Sequence, residues 1–295
     1  MCIVIGKFFP DLGWVGLKNR DRNYIPEISF KKKERGGVEI CYFWVDITRY
    51  CEGFNSAGVG ILSASLMVID DEKEIHVRAK TPSKDGKKIK KALEYPDVKA
   101  AAMSVIKQEL TGNTIIFDSE HMYLVEAAHP AKNGFNYKVA EIPRDQTVVR
   151  TNHGIWLPHT GYQRGGDEAE TLSRISSESR RLIALAVTED AKTPEDILDN
   201  LTLNFTNNGQ LNALRTTLDK KKMRTTSQIM IVPSQQTMFI RPVQSHMKFN
   251  FWDLNDTKQQ TWVEILSNRI LYKNMKGVDF SDELPFASLN HSSIS

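Results

Sequence analysis

The sequence predicts an α+β fold with helices packed on the faces of β-sheets, and three observations lead there. Short apolar runs recur between clusters of Gly, Pro, Asn and Asp, the pattern of paired strands. A few longer segments place apolar residues at helical spacing. The composition is that of a globular chain: of 295 residues, 40% are hydrophobic and 25% charged, with a net charge of +3. This excludes bulk disorder, and the charge makes no case for nucleic acid. No run approaches the roughly 18 apolar residues of a membrane helix. Cys2, Cys41 and Cys51 do not form a disulfide framework. A single domain is expected over 1–280, with a charged loop or insertion at 70–95 and a flexible tail over 281–295.

The elements follow in order. Residues 2–9 and 14–20 read as a hairpin around Pro10-Asp11-Leu12-Gly13, and Lys31 to Gly37 as a solvated turn. Strands are expected at 38–45 and 57–68. The lysine-rich stretch Lys84 to Lys91 has no interleaved aromatic and reads as a solvated loop and helix start. Val98, Ala102, Val105, Ile106 and Leu110 predict a helix over 97–110. Strands follow at 114–118, 121–128 and 135–140. A helix is expected over 168–189, and another over 194–203, capped by Thr193 with Pro194 at its start. Strands at 226–232 and 236–241 complete the reading.

The chain starts Met1-Cys2-Ile3-Val4-Ile5. This lacks the charged-then-apolar order of a secretory signal and reads as a strand of an intracellular, cytoplasmic protein. Trimming Met1 would leave Cys2 with a thiol and a free α-amine, groups of reference pKa about 8.5 and 7.7–8.0. A nucleophile and a base would then share one residue.

Four segments add chemistry. Asn19-Arg20-Asp21 follows the first turn, where Asp21 can hold the amine. Gly53-Phe54-Asn55-Ser56-Ala57-Gly58 sets an amide before an apolar strand, and Thr151-Asn152 supplies a second. Two such donors aimed at one oxygen make an oxyanion hole. Ser177-Glu178-Ser179-Arg180 places a permanent cation in a helix. His153 and His159 lack helical metal-ligand spacing, so no metal is expected; paired with Cys2 they leave open a cysteine-peptidase reading. Phe8, Phe9, Trp14, Trp156 and Tyr162 can line an acyl pocket or fill the core.

In this order the motifs resemble the choloylglycine hydrolase-like N-terminal cysteine nucleophile hydrolases, which include bile salt hydrolases, penicillin V acylases and penicillin acyltransferase-like proteins. The resemblance implies a four-layer αββα sandwich of antiparallel sheets. It implies an amidohydrolase that cleaves a linear non-peptide C–N bond through an acyl-thioester on Cys2. Asp21 would orient Cys2, Asn55 and Asn152 would bind the oxyanion, and Arg180 would support the nucleophile. Bile salt hydrolases carry arginine three residues before the aspartate, where this chain has Lys18. Either Lys18 or the adjacent Arg20 would then face thiolate and substrate. The implied partner is a small acyl-amide, with no cofactor, nucleic acid or membrane, and a homo-oligomer is compatible. An acyltransferase or a catalytically silent binding protein of the same fold are the alternatives.

Overall fold

A computed structural model describes residues 2–45, 50–66, 85–128, 134–157, 160, 167–217, 223–243, 247–252, 260–265, 270–274 and 278–281. The first hairpin forms as its sequence dictates: β1 (Cys2–Phe9) and β2 (Gly13–Arg22) pair antiparallel around the Pro10 turn, with Cys2 opposite Arg20. β3 (Glu27–Arg35) and β4 (Val38–Val45) meet at Gly36-Gly37, both at positive φ. The lysines read as turn are therefore the end of a strand, and only the glycine pair turns. β5 (Cys51–Asn55) is a strand not foreseen, and β6 (Gly60–Ala64) forms within the strand expected at 57–68.

Helices α1 (Asp85–Ala92) and α2 (Val98–Lys107) follow, then β7 (Gly112–Phe117), β8 (Met122–Ala128), β9 (Asn136–Glu141) and the short β10 (Val148–Arg150). The helix at 85–92 occupies part of the expected charged loop, because Ile89 and Ala92 bury one face while the lysines line the other. The long helix α3 (Asp167–Glu189) and α4 (Pro194–Asn200) come next, α4 with a full Thr193–Asp196 capping box. β11 (Arg224–Val232) and β12 (Thr237–Pro242) precede four strands not foreseen: β13 (Met247–Trp252), β14 (Gln260–Ile265), β15 (Ile270–Asn274) and β16 (Val278–Ser281). The expected tail lies outside the described residues beyond Ser281, as does most of the charged insertion.

One sheet runs β10-β1-β2-β11-β12-β15-β16 and the other β14-β13-β3-β4-β5-β6-β7-β8-β9. The pairings are antiparallel except β13 with β3. Because strand side chains alternate, each sheet has two faces to bury. Val4, Trp14, Phe54, Phe117, Met122 and Ile229 fill the space between the sheets. Ile3, Ile5, Val15 and Leu17 bury the other face of the first sheet with Ala184, Val187 and Ile197 of α3 and α4. Ile40, Ile61 and Val125 do the same on the second sheet with Ile89, Ala101 and Val105 of α1 and α2. This is the αββα sandwich. Gly6 and Gly16 lie opposite one another in the first hairpin, and a Cβ on either would strike Met122 or the Phe117 ring. Their missing side chains let the two sheets approach.

Candidate active site

Cys2 is buried on the inter-sheet face of β1. Its cross-strand partner is Arg20, so the alternating residues Lys18, Arg20 and Arg22 of β2 share that face. Three cations thus surround one thiol. Lys18 Nζ ion-pairs with buried Glu52, donates to the Ser63 carbonyl at 2.6 Å and lies 4.8 Å from the Tyr50 ring. The Arg20 guanidinium is fully buried against the rings of Phe43 and Tyr50, at 4.9 and 5.6 Å. Arg22 reaches the sulfur itself: Nη1 lies 3.6 Å from Cys2 Sγ and donates to the Asp21 carbonyl at 2.6 Å. The contact left open between Lys18 and Arg20 is therefore made by Arg22, two residues on along the same face.

Burial pushes the Cys2 thiol up, but the positive charges of Lys18, then the terminal ammonium of the chain, then Arg22 outweigh that and hold it at about 6. Cys51 shows the contrast. It faces the helical layer, donates to the Gly86 carbonyl, and burial with Glu52 nearby drives its pKa far upward. Cys41 is an inter-sheet core thiol.

The main chain of Cys2 is held as well. Its N–H donates to Asn152 Oδ1 at 2.8 Å, and Asn152 Nδ2 donates to the Ser65 carbonyl at 2.8 Å. Asn152 follows β10, the strand paired with β1, which brings it beside Cys2. The loop after it is pinned by a buried carboxylate that sequence reading missed: Glu126 accepts from the N–H groups of Ile155, Trp156 and Leu157 at 2.7–3.1 Å.

Several expected site residues lie elsewhere. Asp21 alternates to the opposite face of β2, so it does not meet the Cys2 thiol. There it ion-pairs with Arg180 at 2.5 Å and accepts from Thr225 Oγ1 at 2.8 Å. Arg180 is fully buried in this pair, behind the sheet, so it too stands apart from the sulfur. Asn55 faces the α1–α2 side. Its Nδ2 donates to the Leu93 and Tyr95 carbonyls, and its Oδ1 accepts from the N–H groups of Ala57 and Val59. That amide closes a turn and has no hydrogen left for an oxyanion. Phe8 and Trp14 pack edge to face at 5.7 Å at the turn end of the hairpin. Six residues separate that end from Cys2, about 20 Å of strand. Phe9 faces the helical side. These aromatics are core, not acyl-pocket lining. Trp156 is half-buried against the inter-sheet core, with Arg150 5.1 Å from its ring. Tyr162 and His159 lie outside the described residues. His153 uses both ring nitrogens, Nε2 with Glu178 and Nδ1 with Ser177, each at 2.8 Å, which removes it as a base for Cys2.

Among the described residues no cluster of His, Cys, Asp and Glu fits a metal ion, and no helix is long and apolar enough to cross a membrane.

No protein-family model matches the chain, and no curated protein matches it. Solved structures do. The Caenorhabditis elegans ortholog of N-acylethanolamine-hydrolyzing acid amidase superposes with a TM-score of 0.51 at 12% identity, over 79% of this chain and 93% of that one. The fold is that of the N-terminal nucleophile hydrolases. A mutant of the conjugated bile acid hydrolase from Clostridium perfringens gives a TM-score of 0.49 at 12% identity, over 90% of this chain and 92% of that one. Penicillin V acylase from Agrobacterium tumefaciens gives 0.47 at 11% identity, over 94% and 92%. In this nucleophile-hydrolase fold, Cys2 stands on the inter-sheet face of the first strand, beside the Lys18 and Arg22 charges.

Proposed function

We propose that this chain is an amidohydrolase that cleaves a linear, non-peptide C–N amide through an acyl-thioester on Cys2. The observation that carries this is a buried thiol 3.6 Å from Arg22 Nη1 on the face it shares with Lys18, on a residue whose main-chain N–H donates to Asn152. A thiolate at neutral pH is a competent nucleophile. The reading requires a free amine on residue 2, so the bond between Met1 and Cys2 must be cut. That a structural neighbour is an N-acylethanolamine-hydrolyzing amidase supports the same class of chemistry.

The steps balance without a cofactor. The thiolate attacks the amide carbon and the carbonyl oxygen becomes an oxyanion. The second N–H of Asn152 Nδ2, not used on Ser65, donates to it. The protonated α-amine gives its proton to the leaving nitrogen as the C–N bond breaks. Water then adds to the thioester, the amine takes a proton from it, and the C–S bond breaks to release acid and thiolate.

The test is incubation with N-acyl amino acids, penicillin V and conjugated bile acids, followed by mass spectrometry of products and of Cys2. An acyl adduct on Cys2, and loss of turnover by orders of magnitude in Cys2→Ser, support the reading. Full turnover with Met1 still attached would overturn it.

A further inference from the structure

Both nitrogens of His153 are committed within a line of hydrogen bonds that starts at a half-exposed carboxylate and ends on the main chain of Cys2. Glu178 Oε2 lies 2.8 Å from His153 Nε2, and His153 Nδ1 lies 2.8 Å from Ser177 Oγ. Ser177 Oγ accepts from the Asn152 N–H at 3.2 Å, and Asn152 Oδ1 accepts from the Cys2 N–H at 2.8 Å. Ser177 is fully buried, so it is no nucleophile of its own.

The donors and acceptors allow two arrangements of the hydroxyl protons, and Ser177 Oγ accepts from the Asn152 N–H in both. Glu178 is kept ionised by Arg181, which donates to it at 2.6 Å, and accepts the Nε2–H of His153. Burial holds the His153 pKa below its ordinary value, so at neutral pH Nδ1 carries no proton and accepts a hydroxyl hydrogen, from Ser177 in the first arrangement and from Thr151 in the second. In the first, Thr151 Oγ1 donates to the Ser177 carbonyl at 3.2 Å; in the second, Ser177 Oγ donates to Thr151 Oγ1 at 2.9 Å and Thr151 Oγ1 donates to Nδ1 at 3.2 Å. Ser177 Oγ is thereby free to accept from the Asn152 N–H. The loop itself does not depend on this line. Asn113 Nδ2 donates to the Thr151 and His153 carbonyls at 2.9 and 3.2 Å, and Glu126 holds residues 155–157.

We infer that Glu178, His153 and Ser177 are positioning residues that act through Asn152 to fix the nitrogen of Cys2 for proton transfer. The relay rests on the amidohydrolase reading for its purpose, though not for its geometry. It reaches the nitrogen of Cys2 and the amide of Asn152, and it leaves the cations around the sulfur untouched. A defect in it should therefore appear in the chemical step and not in thiol reactivity.

The variants are His153→Leu, which removes both ring nitrogens at similar volume, His153→Asn, which returns an acceptor near Nδ1, and Glu178→Ala. Three readouts are taken on the full chain: hydrogen exchange at the Asn152 and Ile3 amides, alkylation of Cys2 by iodoacetamide, and kcat and KM on whichever amide of the panel is turned over. In His153→Leu the Asn152 amide exchanges about tenfold faster, while Ile3 exchange and the alkylation rate stay at the parent values. In the same variant kcat falls about 10- to 100-fold with KM within twofold of parent, the scale of a misplaced reacting group. His153→Asn recovers most of both losses, and Glu178→Ala falls between. Parent-level exchange at Asn152 in His153→Leu overturns the relay, as does equal loosening at Ile3 and Asn152. If the parent turns over no amide, the hydrolase reading fails by itself, and exchange at Asn152 still decides the relay.

Discussion

At residue 2 the decisive quantity is charge. A buried thiol alone would be hard to ionise, and Cys51 behaves that way, yet Cys2 sits among Lys18, Arg20 and Arg22, with buried Glu52 paired to Lys18 from β5. Its folded pKa lies below the ordinary value, so the thiolate is the dominant form above about pH 6 and is lost below it. Iodoacetamide should modify Cys2 before Cys41 and Cys51, with a rate that rises through a midpoint near pH 6; mass mapping of the alkylated peptides over pH 4–9 measures this. Equal labelling of the three thiols at pH 7 would contradict it. Arg22→Leu removes the contact at 3.6 Å and should move that midpoint upward, read by the same titration.

β2 works as an element with two unlike faces. Lys18, Arg20 and Arg22 point to the thiol, while Asn19 and Asp21 point to the α3–α4 layer. Asp21–Arg180 is a fully buried ion pair that joins β2 to the long helix. Removing one partner leaves the other charge buried and unpaired, so Arg180→Leu should cost about 3–5 kcal/mol of folding stability. Urea unfolding measures it. Arg22→Leu, by contrast, alters a half-buried side chain on the other face and should leave the unfolding midpoint close to parent. At the start of α4, Thr193→Ala deletes the capping box and should cost about 1 kcal/mol, seen in the same assay.

Over the whole molecule, the site exists because two sheets close on each other at short range. Gly6 and Gly16 allow that approach, and Phe117 and Met122 occupy the space they leave. Gly16→Val would drive two methyl groups into the Phe117 ring, and overpacking of this kind costs about 1–3 kcal/mol or more. The sheets would part near the hairpin, and a lowered melting temperature by calorimetry is the expected result.

The sequence by itself determined the first hairpin, the long helix, the capped helix after Thr193 and the α+β class of fold with helices on sheet faces. Each of these is a local signal, written in alternation, helical spacing, caps and turns. What only the tertiary structure decided was direction. Motif order brings Asp21, Asn55 and Arg180 into the same list as Cys2, yet strand alternation sends Asp21 to the far face and the β5–β6 turn consumes Asn55. Arg22, Glu52 and Glu126 carry no motif, and the Ser177-Glu178 motif does not reveal its contact with His153. They matter through contacts between residues far apart in the chain, and those distances are set by how two sheets and two helical layers pack, a property no local window contains.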